Sequence, residues 1–103
     1  MTKFNVIVSP RAKRDLKDIY AYTLQSWGEK KADSYLSNIK TSFLQLLDNP
    51  KIGRERLDVQ SNLRSLHVEK HVIFYKINDS VIYVLGVLHC RMDVMNYFPS
   101  SRE

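Results

Sequence analysis

The chain has 103 residues, which is room for one hydrophobic core, so we expect residues 1–103 to form a single domain. Its apolar content of 44% and charged content of 26% exclude wholesale disorder, and no apolar run approaches the ~18–20 residues that cross a bilayer. The net charge of +5 favours an anionic partner, whether nucleic acid, an acidic protein segment or an anionic surface.

The location of the protein is indicated by its cysteine content and its first residues. Cys90 is the single cysteine, so an internal disulfide is excluded. The sequence turns polar after its first residues and shows neither the apolar core nor the cleavage site of a signal peptide. We therefore expect a cytoplasmic protein without a membrane partner.

A strand and a helix are predicted at the start of the chain. Lys3–Val8 alternates in polarity like a strand, and Ser9-Pro10 then offers a hydroxyl N-cap and a proline at the first helical position. Gly28 is placed to end the helix. Residues that recur at helical spacing form the buried face of this helix: Ala12, Leu16, Ile19, Tyr20, Thr23 and Trp27.

A second helix is predicted directly after Gly28, and Asn49-Pro50 stops it. Its apolar stripe consists of Ala32, Tyr35, Leu36, Ile39, Phe43, Leu46 and Leu47. Two long helices joined at one glycine predict an antiparallel helical hairpin.

The second half of the chain is predicted to be mainly β-structure. Residues 49–62 are rich in charge and indicate a surface loop. Three strands follow, at Arg64–Val68, His71–Ile77 and Val81–Leu88, and Met92–Phe98 favours a short helix. The result is an α+β fold, in which the helical hairpin packs on a mainly antiparallel sheet of about four strands. The apolar run Val81–Leu88 predicts a strand that is covered on both faces.

Residues along the whole chain resemble the ParE toxins of the RelE/ParE superfamily, which belong to bacterial toxin–antitoxin (plasmid stabilisation) modules. The matching residues are Ser9, Ala12, Asp15-Leu16, Ile19, Tyr22-Thr23, Trp27-Gly28, Ala32, Tyr35, Asn49-Pro50, Gly53-Arg54, Leu63-Arg64-Ser65, His71-Val72-Ile73-Phe74-Tyr75, Leu88-His89 and Arg91-Met92-Asp93. The chain departs from the family at Glu69-Lys70, where a Gly-Ser pair is common.

The resemblance implies a RelE/ParE-like fold, no cofactor and two protein partners. One is a cognate antitoxin, ParD-like or of another type, whose acidic C-terminal segment wraps the toxin. The other is DNA gyrase, which the toxin would inhibit by binding and thereby arrest growth. Operator DNA would be reached only through the antitoxin.

The related RelE toxins cleave messenger RNA on the ribosome, so an endoribonuclease is the alternative. Its candidate residues are Arg64, His89, Arg91 and Tyr97. Arg64 could instead fix a loop or the C-terminus, and His89 could be a hydrogen-bonded residue at a strand end. The pattern places no general base with a partner, so we expect no catalytic residues.

Metal and thiol chemistry are not expected. Cys90 and His89 are neighbours on a strand, where adjacent side chains point to opposite faces. The spacing of His67 and His71 suits a helix, whereas they fall across a strand and a turn.

Two candidate binding surfaces follow. The antitoxin is expected on the basic rim of the helical hairpin, at Arg14, Lys17 and Tyr20, although a solvated helix face explains the same charges. Gyrase is expected at the terminal segment, whose composition is typical of interfaces; the candidates are Arg91, Met92, Met95, Tyr97 and Phe98. Met92, Val94 and Met95 could instead pack the last helix onto the sheet. A third possibility is an inactive family member that serves as an antitoxin sink or a repressor component.

Overall fold

The computed structural model describes residues 4–98. The elements are β1 (Asn5–Val8), α1 (Pro10–Trp27), α2 (Glu29–Asp48), a 3-10 turn (Pro50–Ile52), β2 (Arg54–Glu55), β3 (Arg64–Val68), β4 (His71–Asn78), β5 (Val81–His89) and α3 (Val94–Tyr97). Lys3, the predicted start of the first strand, lies outside the described residues. None of the helices within residues 4–98 is long and apolar enough to span a membrane.

The strands form one sheet in the order β1-β5-β4-β3-β2. Strand β1 runs parallel to β5, and the other pairs are antiparallel. The predicted α+β fold is confirmed, and the sheet has five strands instead of about four. The additional strand is Arg54–Glu55, which lies inside the stretch predicted as a loop. It pairs with Arg64 and Ser65 of β3. A strand of two residues shows no alternation of polarity, so the sequence pattern does not reveal it.

The ends of the two long helices lie at the predicted residues. The Ser9 hydroxyl accepts a hydrogen bond from the Ala12 backbone N–H at 3.0 Å and caps α1. Gly28 separates α1 from α2 with a φ of +96°, a backbone conformation that favours glycine. The helical hairpin is therefore set by local sequence signals at both ends of α1.

Hydrophobic side chains pack on both faces of the sheet. On the helix face, Ile39 and Leu46 of α2 meet strand residues such as Ile73 and Val84, all of which are fully buried. On the opposite face, a smaller core joins the loop after β2 to the segment that contains α3; its buried members are Val59, Leu63, Val72, Phe74, Leu88 and Phe98. Strand β5 is thus covered on both faces, as predicted.

Strand β5 contains an irregularity. Its pairing with β4 skips Leu85, because Phe74 is opposite Gly86 while Tyr75 is opposite Val84. An extra residue of this kind is a β-bulge, which bends a strand and changes the direction of its side chains.

Candidate functional site

A groove runs between the two helices. Leu16 and Tyr20 of α1 and Leu36 of α2 line it, Lys17 and Lys40 flank it, and its volume is about 320 Å³. The Tyr20 hydroxyl donates to Asp33 Oδ1 across the groove at 2.8 Å. The groove therefore has an apolar floor and a lysine on each wall.

The predicted antitoxin residues all lie on α1, and two of the three line this groove. Lys17 and Tyr20 line it, whereas Arg14 is exposed one turn earlier on the same helix. Lys40 was not among the predicted residues, and Leu36 was assigned to the core stripe. The spacing of Leu36 and Lys40 on α2 is the signal that places both on one helix face.

The predicted target-binding residues around α3 include exposed and buried side chains. Met92 and Met95 are 56% and 47% exposed. Phe98 is buried against Phe74, with 5.2 Å between ring centroids. Arg91, Met92 and Met95 therefore form an exposed set, which we call the C-terminal contact surface, whereas Phe98 packs inward.

Tyr97 is held by residues of two elements, α1 and β5. Its hydroxyl donates to the Asp15 carboxylate, and its ring lies against Gly86 of β5. The Arg11 guanidinium carbon stands 3.9 Å from the ring centroid, and Arg11 Nη1 donates to the Tyr97 carbonyl at 3.3 Å. Burial, together with the hydrogen bond to Asp15, raises the pKa of Tyr97, so the phenol stays protonated and donates.

Asp15 and Gly86 were not among the predicted site residues. A glycine inside an apolar strand run is a known sign of a bulge or of close approach by another group, and Gly86 shows both. Asp15 gave no such signal, because a carboxylate on a helix is usually solvated.

Arg64 fixes the turn before β2. Its Nη1 donates to the Gly53 carbonyl at 2.7 Å and to the Lys51 carbonyl at 3.3 Å, and Nη2 lies 3.4 Å from Glu55 Oε2. These are the contacts of a loop-fixing cation, the alternative role considered for this residue.

The candidate nuclease residues are not gathered around one point. Arg64 is opposite Tyr75, whereas His89 is opposite His71, four residues away along β4. At about 3.3 Å per residue, that offset is about 13 Å. Arg91 is next to His89, and Tyr97 is engaged at Asp15.

His89 belongs to a row of polar rings at one end of the sheet. The Arg91 backbone N–H donates to His89 Nδ1 at 3.1 Å, and the rings of His89 and His71 meet edge to face at 5.2 Å. The Tyr35 hydroxyl accepts from Lys70 N at 3.1 Å and lies 2.6 Å from His71 Nδ1. Burial and the neighbouring His89 lower the pKa of His71 to about 4, so its imidazole is neutral near pH 7.

Cys90 lies just past the end of β5. Its Sγ is 4.0 Å from His89 Nδ1, closer than strand alternation predicts, because the chain turns directly after His89. That nitrogen already accepts the Arg91 N–H. Among residues 4–98, no cluster of three or more His, Cys, Asp or Glu side chains is arranged to hold a metal ion.

Comparison with known proteins agrees with the fold and the motifs. The toxin ParE1 of Mycobacterium tuberculosis is 34% identical over 89 residues, which cover 85% of this chain and 91% of that protein. The toxin ParE1 of Caulobacter vibrioides is 30% identical over 86 residues, which cover 84% of this chain and 88% of that protein.

Two solved structures share the fold. A chain of a chromosomal ParDE toxin–antitoxin system from P. aeruginosa aligns with a TM-score of 0.75 at 19% identity, covering 84% of this chain and 96% of that one. A chain of the toxin–antitoxin complex RelBE2 from Mycobacterium tuberculosis aligns with a TM-score of 0.63 at 18% identity, covering 85% and 99%.

A family model settles the relationship. Residues 6–94 match the model described as the ParE toxin of type II toxin–antitoxin system, parDE. The chain belongs to the ParE family of toxins from type II toxin–antitoxin systems.

Proposed function

We propose that this ParE-family toxin inhibits DNA gyrase by binding it, and that a cognate antitoxin neutralises it through an acidic segment. The observation that carries the choice of binding over RNA cleavage is the position of Arg64. Its guanidinium is occupied by the Gly53 and Lys51 carbonyls, and the β4 residue that pairs with Arg64 lies about 13 Å along the strand from the residue that pairs with His89. Cleavage of RNA needs an acid, a base and cations around a single phosphate.

The C-terminal contact surface supports a protein target. Two exposed methionines beside an arginine have the composition of an interface centre, and methionine adapts its shape to a partner. Helix α3 is anchored by Phe98 from below, so these side chains are presented by a fixed element.

The groove between α1 and α2 supports the antitoxin as second partner. An amphipathic acidic segment would bury its apolar residues on Leu16 and Leu36 and place carboxylates near Lys17 and Lys40. In this proposal operator DNA is bound only through the antitoxin, and both partners are met in the cytoplasm.

A supercoiling assay tests the gyrase proposal. Purified wild-type protein at micromolar concentration should inhibit gyrase, and a variant with both Met92→Ser and Met95→Ser should lose inhibition while remaining folded. Leu57→Ser is the matched control, because Leu57 is 70% exposed in the loop after β2. A wild-type protein that leaves supercoiling unchanged would refute the proposal.

The second candidate is a ribosome-dependent endoribonuclease, and the feature that favours it is that two of its candidate residues, His89 and Arg91, lie next to each other, with the Arg91 backbone N–H donating to His89 Nδ1. Primer extension on translated messenger decides this case: Arg64→Ala and His89→Ala should abolish cutting if RNA is the substrate.

An inactive family member is the third candidate, and growth arrest on expression without antitoxin would exclude it.

A further inference from the structure

The outer edge of β5 is covered by side chains of α1 where β1 ends. The last backbone hydrogen bond on the β1 side of β5 runs from Ser9 N to the Val84 carbonyl at 3.0 Å. Beyond it, the Ser9 hydroxyl donates to the Leu85 carbonyl at 3.1 Å, and Asp15 Oδ2 accepts from Val87 N at 2.9 Å. Asp15 therefore satisfies a strand N–H that has no strand partner on this side.

Tyr97 docks onto this covered edge. Asp15 Oδ2, which already accepts the Val87 N–H, also accepts the Tyr97 hydroxyl. The ring sits so close to Gly86 that a Cβ at that position would lie 2.8 Å from Tyr97 Cε1. Arg11 covers the ring, so the aromatic side chain is enclosed between α1 and β5.

Helix α3 depends on such anchors for its position. It has four residues, and a helix this short has little stability of its own in water. In the segment that contains it, Val94, Tyr97 and Phe98 pack inward, while Met92 and Met95 are exposed. Phe98 fixes how close the segment lies to the sheet, and Tyr97 ties it to α1.

We infer that Tyr97, held by Asp15 and Arg11 against Gly86, is a positioning residue that fixes the C-terminal contact surface for its protein target. The inference rests on the proposed function in so far as this surface contacts the target. A hydrogen bond from a phenol to a carboxylate is charge-assisted, and it is stronger than one between neutral groups. Its loss frees α3 locally, because the helix-face core is formed by other residues.

The test uses Tyr97→Phe in the full chain, with Tyr83→Phe as the matched control. Tyr83 lies on the same strand as Gly86 and is partly exposed, and the same hydroxyl is removed from it. A second variant, Gly86→Ala, displaces the Tyr97 ring by contact and leaves its hydroxyl in place.

Hydrogen exchange and supercoiling give the two measurements. Tyr97→Phe should speed exchange at the amides of Met95 and Phe98 by about tenfold, with β4 amides unchanged. Its concentration for half-inhibition of gyrase should rise by a similar factor. Gly86→Ala should act in the same direction, whereas Tyr83→Phe should match the wild type in both measurements.

Three outcomes overturn the inference. The first is a Tyr97→Phe variant whose exchange and inhibition equal those of the wild type. The second is loss of protection in β4 as well, because Tyr97 would then support the whole core. The third is a Tyr97→Phe variant whose amides in residues 91–98 exchange faster but whose inhibition of gyrase equals that of the wild type. If the wild type does not inhibit gyrase, the proposed function fails separately, and growth arrest by wild type and Tyr97→Phe replaces supercoiling in the comparison.

Discussion

Glu69 occupies a backbone conformation that disfavours its side chain. It is the first residue of the turn between β3 and β4, and its φ is +55°. A residue with a Cβ loses about 1–2 kcal/mol in this left-handed region, whereas glycine does not. The Glu69 carboxylate offsets part of that cost by accepting a hydrogen bond from Asn38 Nδ2 of α2 at 2.6 Å.

Replacing Glu69 by glycine should therefore give a result that depends on Asn38. In an Asn38→Ala background, Glu69→Gly should raise the free energy of unfolding by about 0.5–1 kcal/mol, because it relieves the backbone and breaks no hydrogen bond to α2. With Asn38 present the gain should be smaller. Urea unfolding of the four proteins in this cycle measures the gain from Glu69→Gly with and without Asn38. Equal gains in the two backgrounds would show that the hydrogen bond between Asn38 and Glu69 contributes nothing to stability.

His71 should make the protein less stable in acid. Its folded pKa of about 4 lies below the ordinary value of 6.5, so the folded state binds fewer protons between these pH values. The neutral imidazole contributes stability above pH 6.5, and this contribution is lost as the pH falls towards 4. The titratable groups that interact with it are His89, Asp15 and Glu69.

The expected loss is about 1–2 kcal/mol, since His71 is partly exposed and solvent screens part of the effect. Urea unfolding of wild type and His71→Gln at about pH 7 and about pH 4.5 measures it. The variant should lose less stability between the two conditions. The same loss in both proteins would assign the acid sensitivity to other groups.

Among the elements, the junction of α1 and α2 depends on one backbone conformation. Gly28 has a φ of +96° and a ψ of 171°, a region that is essentially restricted to glycine. A Cβ placed there would meet no atom within 4 Å, so any cost of a side chain arises from the backbone and not from a clash.

Gly28→Ala should therefore lower the free energy of unfolding by about 1–3 kcal/mol. The exposed Ser26→Ala, in the last turn of α1, is the matched control and should change it by less than about 0.5 kcal/mol. Circular dichroism during urea unfolding measures both. Equal stability of the Gly28 variant and the wild type would mean that the junction relaxes to another conformation.

The long elements could be predicted from the sequence because each repeats its own signal several times. The helices α1 and α2 show apolar stripes over 18 and 20 residues, with caps at Ser9 and Gly28. The parallel pairing of β1 with β5 brings together residues 76 positions apart, such as Asn5 and Val81, and local pattern carries no information about it.

The candidate site was less predictable for the same reason. Lys17 and Tyr20 could be placed on the groove because they share the face of a predicted helix. The contact of Tyr97 with Asp15 and Gly86 joins three elements that are distant in sequence, so it appears only after folding. Tyr97 was therefore predicted as a target-binding residue, or as a nuclease residue in the alternative, whereas its side chain is partly buried and bonded to Asp15.

For the whole molecule, the net charge of +5 is spread over the chain, and local placement decides where it acts. Residues 1–50 carry eight Lys and Arg against five Asp and Glu, and residues 51–103 carry eight against six. Lys17 and Lys40 face the groove between the helices, whereas Lys76 lies beside Tyr83 on the opposite side of the sheet. The binding of an acidic partner in the groove should therefore depend on Lys17 and Lys40 more than on Lys76.

Charge reversal at Lys17 should slow association with the cognate antitoxin more than the same change at Lys76. Lys17→Glu should lower the association rate constant by about 3- to 10-fold at low salt, because it repels the acidic segment at the point of docking. Lys76→Glu changes the net charge equally and should have a smaller effect. Stopped-flow mixing at two salt concentrations measures both, and the difference should shrink at high salt. Equal slowing by the two variants would mean that total charge, and not the groove, steers the antitoxin.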